Sequence, residues 1–184
     1  MEKFSFLQPI SPTEIKIKDV KVVKRTIFYD QRGFLVETFA QSREKGPGVY
    51  AYASLVREGK AKDIDQYHFH QNQTDRMTIV QGVLWILLFD RREKSSTYGK
   101  LEVLEVKGAD PAVKEKKEQE AFTIAIPPGV YHGIMAPGPG DSFLINHPSQ
   151  EYDPKEEGRI SFDKISVPSL EGGTFSWKRV KKAS

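Results

Sequence analysis

Hydrophobic residues in this chain alternate with polar ones or gather in short blocks, and almost nowhere recur at the three-and-four spacing of a helix. Runs rich in β-branched and aromatic residues occupy 20–29, 34–39, 49–56, 66–70, 77–80, 83–89, 101–106, 122–126, 131–136 and 142–146, with Gly, Pro, Asn and charged residues between them. Their close spacing predicts an all-β fold, an antiparallel sandwich or barrel. Segment 83–89 alternates Val83, Trp85, Leu87 and Phe89 with Leu84, Ile86 and Leu88, so both its faces are apolar. That pattern predicts a strand covered on each side. Residues 41–45 offer one or two helical turns at most. Segment 108–120, with seven charges and Pro111, reads as a solvated loop in which 113–120 suits a short helix. No internal repeat interrupts the pattern.

A chain of 184 residues has the length of one domain, and that domain is expected over 1–170, with 1–18 as an N-terminal arm. The complete absence of Cys excludes disulfides, thiolate zinc sites and a cysteine nucleophile, and suits a reducing cytoplasm. No apolar stretch approaches the roughly 18 to 20 residues of a membrane span, and the first residues lack the apolar core of a signal peptide. A cytoplasmic protein without a membrane partner is the expectation. The formal charge is +3, yet Lys178, Arg179, Lys181 and Lys182 against Glu171 place all of it in 171–184. The remainder is neutral, which argues against a nucleic-acid partner and makes 171–184 a basic, solvated tail.

The histidines hold the chemistry. Of four, three share one pattern: His68-Phe-His70, then Asp75, then Pro127-Pro-Gly129-Val-Tyr-His132. On a strand, positions i and i+2 face one side, so His68 and His70 present both imidazoles to one interior. A turn through 71–74 returns Asp75 beside them. Three imidazoles and a carboxylate are a donor set for Fe, Mn, Ni or Zn. Each residue also has a plainer reading, as an ordinary polar or satisfied core side chain. Tyr50, Tyr52, Tyr67 and Tyr131 read as packing residues, with Tyr67 and Tyr131, each flanking a histidine, also placed for proton donation. His147, before Pro148, reads as a loop histidine.

The His-x-His and Pro-x-Gly-x-x-His segments resemble the two motifs of the cupin superfamily, small β-barrels that commonly hold a metal through three His and one Glu. Asp75 stands at the Glu position, and Ala136 where an Asn often follows the second motif. A longer likeness begins at Phe28-Tyr-Asp30-Gln-Arg32-Gly33-Phe34-Leu-Val-Glu37-Thr-Phe39. It continues through 90–100, 126–133 and Tyr152-Asp-Pro154 with Gly158-Arg-Ile-Ser-Phe-Asp163. In this order the segments resemble the dTDP-4-dehydrorhamnose 3,5-epimerase family. The resemblance implies a cupin-type double-stranded β-helix (jelly-roll barrel) over 1–170, and a homodimer exchanging an N-terminal strand.

It also implies a reaction, proton removal α to the keto group of a nucleotide-linked 4-keto-6-deoxyhexose by a His base oriented by Asp, with a Tyr acid on the other face. By the resemblance His68 is the base, Asp163 its carboxylate partner, and Arg32, Glu37 and His132 meet the substrate. The family's Arg and Lys are replaced by Asp65 and Asp75, and its Phe-Leu-Tyr-Lys by Phe143-Leu-Ile145-Asn146. Three readings follow. One is an epimerase-like sugar-nucleotide isomerase without a cofactor. The second is a metal-dependent cupin isomerase or oxygenase on a small carbonyl or hydroxyl compound, with His68, His70, Asp75 and His132 as ligands. The third is a catalytically inactive sugar-binding cupin. A ligating His68 is not a free base, so the first two exclude each other.

Overall fold

In a computed structural model, which describes residues 6–44, 46 and 48–181, every predicted run lies within or overlaps a strand. The strands are β1 (Lys21–Asp30), β2 (Gly33–Val36), β3 (Tyr52–Val56), β4 (Gln66–His70), β5 (Asp75–Gln81) and β6 (Val83–Asp90). They continue as β7 (Leu101–Lys107), β8 (Lys117–Ile126), β9 (Val130–Met135), β10 (Ser142–Asn146) and β11 (Glu157–Ser161). They form a six-stranded sheet in the order β2-β1-β8-β5-β10-β3 and a five-stranded sheet in the order β11-β4-β9-β6-β7, all named pairs antiparallel. This is the expected jelly roll. No helix among the described residues is long and apolar enough to cross a membrane.

The two apolar faces of β6 separate as predicted. Leu84, Ile86 and Leu88 enter the core between the sheets with Ile79, Leu104, Ile124 and Leu144. Trp85, Leu87 and Phe89 face outward and are nonetheless buried, against Phe162, Ile165, Val167, Leu170, Phe175, Trp177 and Val180. The cover on that second face is therefore the C-terminal segment.

This corrects the reading of 171–184 as a solvated tail. The domain runs through Val180, because Phe175, Trp177 and Val180 complete an apolar layer that β6 and β7 would otherwise expose. The chain end is also stitched to the N-terminal arm, Leu7 donating its N–H to Arg179 O and Lys181 donating to Leu7 O. Lys178, charged as expected, stays exposed on the same turn. Lys182 and residues 183–184, like the first five of the arm, lie outside the described residues.

Two further expectations change. The stretch from Lys117 on is the start of β8, paired with β1 from Tyr29↔Lys117 onward, not a loop or helix. Its charges are tolerated because the backbone ladder carries the pairing while Lys117, Glu118 and Glu120 point to solvent, Glu120 meeting Lys24 at 2.6 Å. Strand β11 has only Ile160 as a large apolar residue, and long-range pairing with β4 creates it. Residues 41–44 form a single turn, within the one or two turns expected of 41–45, with Arg43 and Glu44 N–H groups donating to Ala40 O, and Lys45 lies outside the described residues.

Candidate active site in the barrel mouth

Strand pairing builds the site. In the β4–β9 register His68 lies directly opposite His132, and pleating puts His70 on the same inward face. Tyr67 and Phe69, the alternate positions, point to the other side of the sheet. Tyr67 packs among Phe89, Phe162 and Phe175, and Phe69 stacks on Tyr131 at 4.3 Å. Neither Tyr67 nor Tyr131 lines the histidine pocket, so the alternate placing of these two as proton donors fails on strand periodicity.

From the facing sheet, β5 contributes Asp75 at its first residue. Its Oδ2 lies 3.3 Å from Nε2 of both His70 and His132, while its Oδ1 accepts from Gln73 Nε2 at 2.8 Å and Asn146 Nδ2 at 2.9 Å. His68 Nε2 lies 3.1 Å from His70 Nε2. The reverse sides of two rings are held as well. His70 Nδ1 meets Glu156 Oε2 at 2.7 Å, and His132 Nδ1 meets the Val130 carbonyl at 3.1 Å. Glu156 is itself fixed at its other oxygen by the N–H groups of Asn72 and Gln73.

These contacts set distinct protonation states for neighbouring rings. Burial, then His132, His70 and Arg159, push His68 down to about 3 against a smaller opposing pull from Asp75. His70 moves the other way. Burial disfavours its charge, but Asp75 and Glu156 on its two nitrogens outweigh that and raise its pKa. Asp75, although desolvated, is held far below the usual carboxylate range by its bonds to His132 and His70. The result is a neutral imidazole at His68 beside an ionised carboxylate at Asp75.

The pocket above them, about 200 Å³, is lined by His68, His132 and Asp75, by Tyr52 and Ser54 from β3, and by Lys62, Asp63 and Arg159. Arg159 donates to Glu157 at 2.8 Å and Asp63 at 3.4 Å. Lys62 is exposed and forms no ion pair among the described residues. Trp177 donates its indole N–H to Asp63 O at 3.2 Å, so the C-terminal segment also braces this wall.

Asp163, expected as the carboxylate partner of His68, is exposed in the short turn Phe162–Lys164 and makes no bond to a histidine among the described residues. The carboxylates beside the histidines are Asp75, Glu156 and Glu157, the last at 3.5 Å from His68 Nε2. The pairing of Glu157 with His70 across β11 and β4 puts both glutamates there, and only that pairing reveals them. Arg32 and Glu37 do not line this pocket. Arg32 caps the β1–β2 turn through Asp30 Oδ2 at 2.5 Å and borders a groove with Phe28, Phe34 and Leu35. Glu37 pairs with Arg43. His147 stacks on Phe39 apart from the cluster, with Nε2 3.0 Å from Thr38 Oγ1.

A model of the dTDP-4-dehydrorhamnose 3,5-epimerase family matches residues 14–170. The chain belongs to that family. It is 31% identical over 153 residues to the probable low-salt glycan biosynthesis epimerase Agl13 of Haloferax volcanii, covering 80% of this chain and 89% of that one. It is 28% identical, again over 153 residues, to the spore coat polysaccharide biosynthesis protein SpsL of Bacillus subtilis, covering 82% and 93%. Among solved structures, a dTDP sugar isomerase from Desulfovibrio desulfuricans superposes with a TM-score of 0.70 at 20% identity, covering 88% of this chain and 92% of that one. Its likeness is one of fold. Family membership makes this chain a sugar epimerase or isomerase.

Proposed function

We propose that the chain epimerises a dTDP-linked 4-keto-6-deoxyhexose for glycan or polysaccharide assembly, removing a proton from a carbon next to the keto group with His68 as base and without a cofactor. The observation that carries this reading is a neutral, largely buried imidazole at His68, opposite His132, in a pocket whose lining mixes Lys62, Asp63 and Arg159 with Met77, Ile134 and Leu144. An α-carbon proton is abstracted by an unprotonated base, and the enolate that forms needs positive charge or hydrogen-bond donors nearby. Lys62 and Arg159 bring cations to the pocket from positions unrelated to Asp65 and Asp75, where the sequence lacks them. The names of the two curated relatives support the setting in glycan and polysaccharide synthesis. Binding is tested by thermal shift with dTDP and dTDP-glucose at millimolar concentration. A rise in melting temperature is expected, and an unmoved one removes the nucleotide substrate.

A second reading rests on a different observation. Asp75 Oδ2 and the Nε2 atoms of His70 and His132 converge, while Glu156 and the Val130 carbonyl hold the opposite nitrogens. One donor atom each from His68, His70 and His132 lies within 4.8 Å of the others. Lone pairs converging from rings anchored behind by a carboxylate and a carbonyl suit a divalent ion such as Fe, Mn, Ni or Zn. These four residues would hold it, and it would supply Lewis acidity toward a carbonyl. His70→Gln separates the readings: a metal site loses its metal and activity together, whereas a free-base epimerase keeps its turnover. Elemental analysis of protein purified without chelators showing less than about a tenth of an equivalent, unrescued by added Fe, Mn, Ni or Zn, removes the second reading.

A further inference from the structure

Inverting a carbon through its enolate needs two groups, because a proton taken by a base on one face must be replaced from the opposite face. A base acting alone returns the proton to the side it came from, which gives exchange with solvent and no new stereoisomer. On the reading of His68 as base, the sequence supplies no phenol at Phe143-Leu-Ile145-Asn146, and Tyr67 and Tyr131 face away from the pocket.

Strand β3 supplies one instead. Tyr52 is paired with Asn146 across β3 and β10, in the six-stranded sheet, and its side chain lines the same pocket as His68, which stands on the five-stranded sheet. The two residues therefore approach a bound sugar from opposite walls. Asn146 is fully buried, and its Nδ2 donates to Tyr52 Oη at 2.9 Å and to Asp75 Oδ1 at 2.9 Å. The phenol oxygen is thus an acceptor in the site's network, and its own O–H remains available to point into the pocket. We propose that Tyr52 is the acid that delivers a proton to the face opposite His68, with Asn146 as its positioning residue.

The step balances without a further reactant. The C–H electron pair next to the keto group moves into the enolate as the proton passes to the His68 imidazole. The enolate carbon then takes the Tyr52 O–H proton from the other face, forming the new C–H bond and leaving a phenolate to which Asn146 donates. Exchange of His68 and Tyr52 with water restores both. Before that step the phenol stays protonated, since burial, and next Asp75, push Tyr52 up to about 12 while the Asn146 bond opposes them. Asn146 thus favours the phenolate that the reaction creates.

The test uses the full chain, dTDP-4-keto-6-deoxyglucose and deuterated buffer, with NMR reading two quantities. These are deuterium entering C3 or C5 of recovered substrate, and epimer formed. Tyr52→Phe is expected to retain deuterium entry while losing epimer formation by roughly 100-fold or more. Tyr67→Phe, a change in the outer aromatic layer, is expected to leave both within about 3-fold. Asn146→Ala keeps the phenol and removes its donor. It should lower epimer formation about 10-fold relative to deuterium entry, a shift in ratio that general loosening of the fold does not produce. An active wild type with Tyr52→Phe forming epimer at the wild-type rate overturns the assignment while leaving the epimerase reading intact. A folded wild type that gives neither exchange nor epimer overturns both. A Tyr52→Phe chain that fails to fold leaves the decision to Asn146→Ala, whose unchanged ratio overturns the proposal.

Discussion

A His68→Ala chain is expected to lose deuterium exchange and epimerisation together, by about 10³-fold or more, while binding dTDP within a few-fold of wild type. The imidazole is used at the instant the C–H bond breaks, and a ground-state ligand gains little from it. The same variant checks the electrostatics. A histidine held at about 3 in the folded state and near 6.5 when unfolded takes its proton first in the unfolded chain. Its contribution to stability therefore declines as pH falls from about 6.5 toward 3, and removing it should flatten that part of the wild-type curve. The acid limb of kcat/KM should correspondingly lie below the ordinary histidine value. A limb near 6.5 that persists in enzyme retaining its fold would show that His68 is not held neutral by its surroundings.

The second large effect lies at the chain end. Trp177→Ala is expected to cost about 3–5 kcal/mol, the range for emptying a large aromatic site in a packed core. Trp177 is 6% exposed, meets Phe175 edge-on at 5.2 Å and donates to Asp63 O. For a chain of this size that loss corresponds to a melting point lower by roughly 10 °C. Because Asp63 lines the pocket, substrate affinity should weaken in the same variant. Lys178→Ala, on the same turn but exposed, should stay within about 0.5 kcal/mol of wild type. Calorimetry on the two variants and on a chain ending at 170 measures the contrast. A truncated chain melting with the wild type would mean that the outer layer over β6 needs no cover.

What the amino-acid order determined by itself is whatever depends on neighbours one or two positions apart. Period-two alternation and β-branched runs located ten strands, and the double apolar face of 83–89 required a cover on both sides before any cover was visible. The spacing of His68 and His70 put two imidazoles on one face, and a turn brought Asp75 to them. Only the tertiary structure decided which distant segments supply the rest. The carboxylates behind the histidines come from Glu156 and Glu157 because β11 pairs with β4, and Asp163 falls outside because the chain turns away at Phe162. Tyr52 enters the pocket because β3 pairs with β10, and the basic end is buried because its aromatic residues meet the outer face of β6. Pleating is a local consequence of backbone geometry, written in every dipeptide. The partner a strand finds, and the wall that faces it across the barrel, depend on contacts between residues far apart in the chain, whose stabilisation no local period encodes.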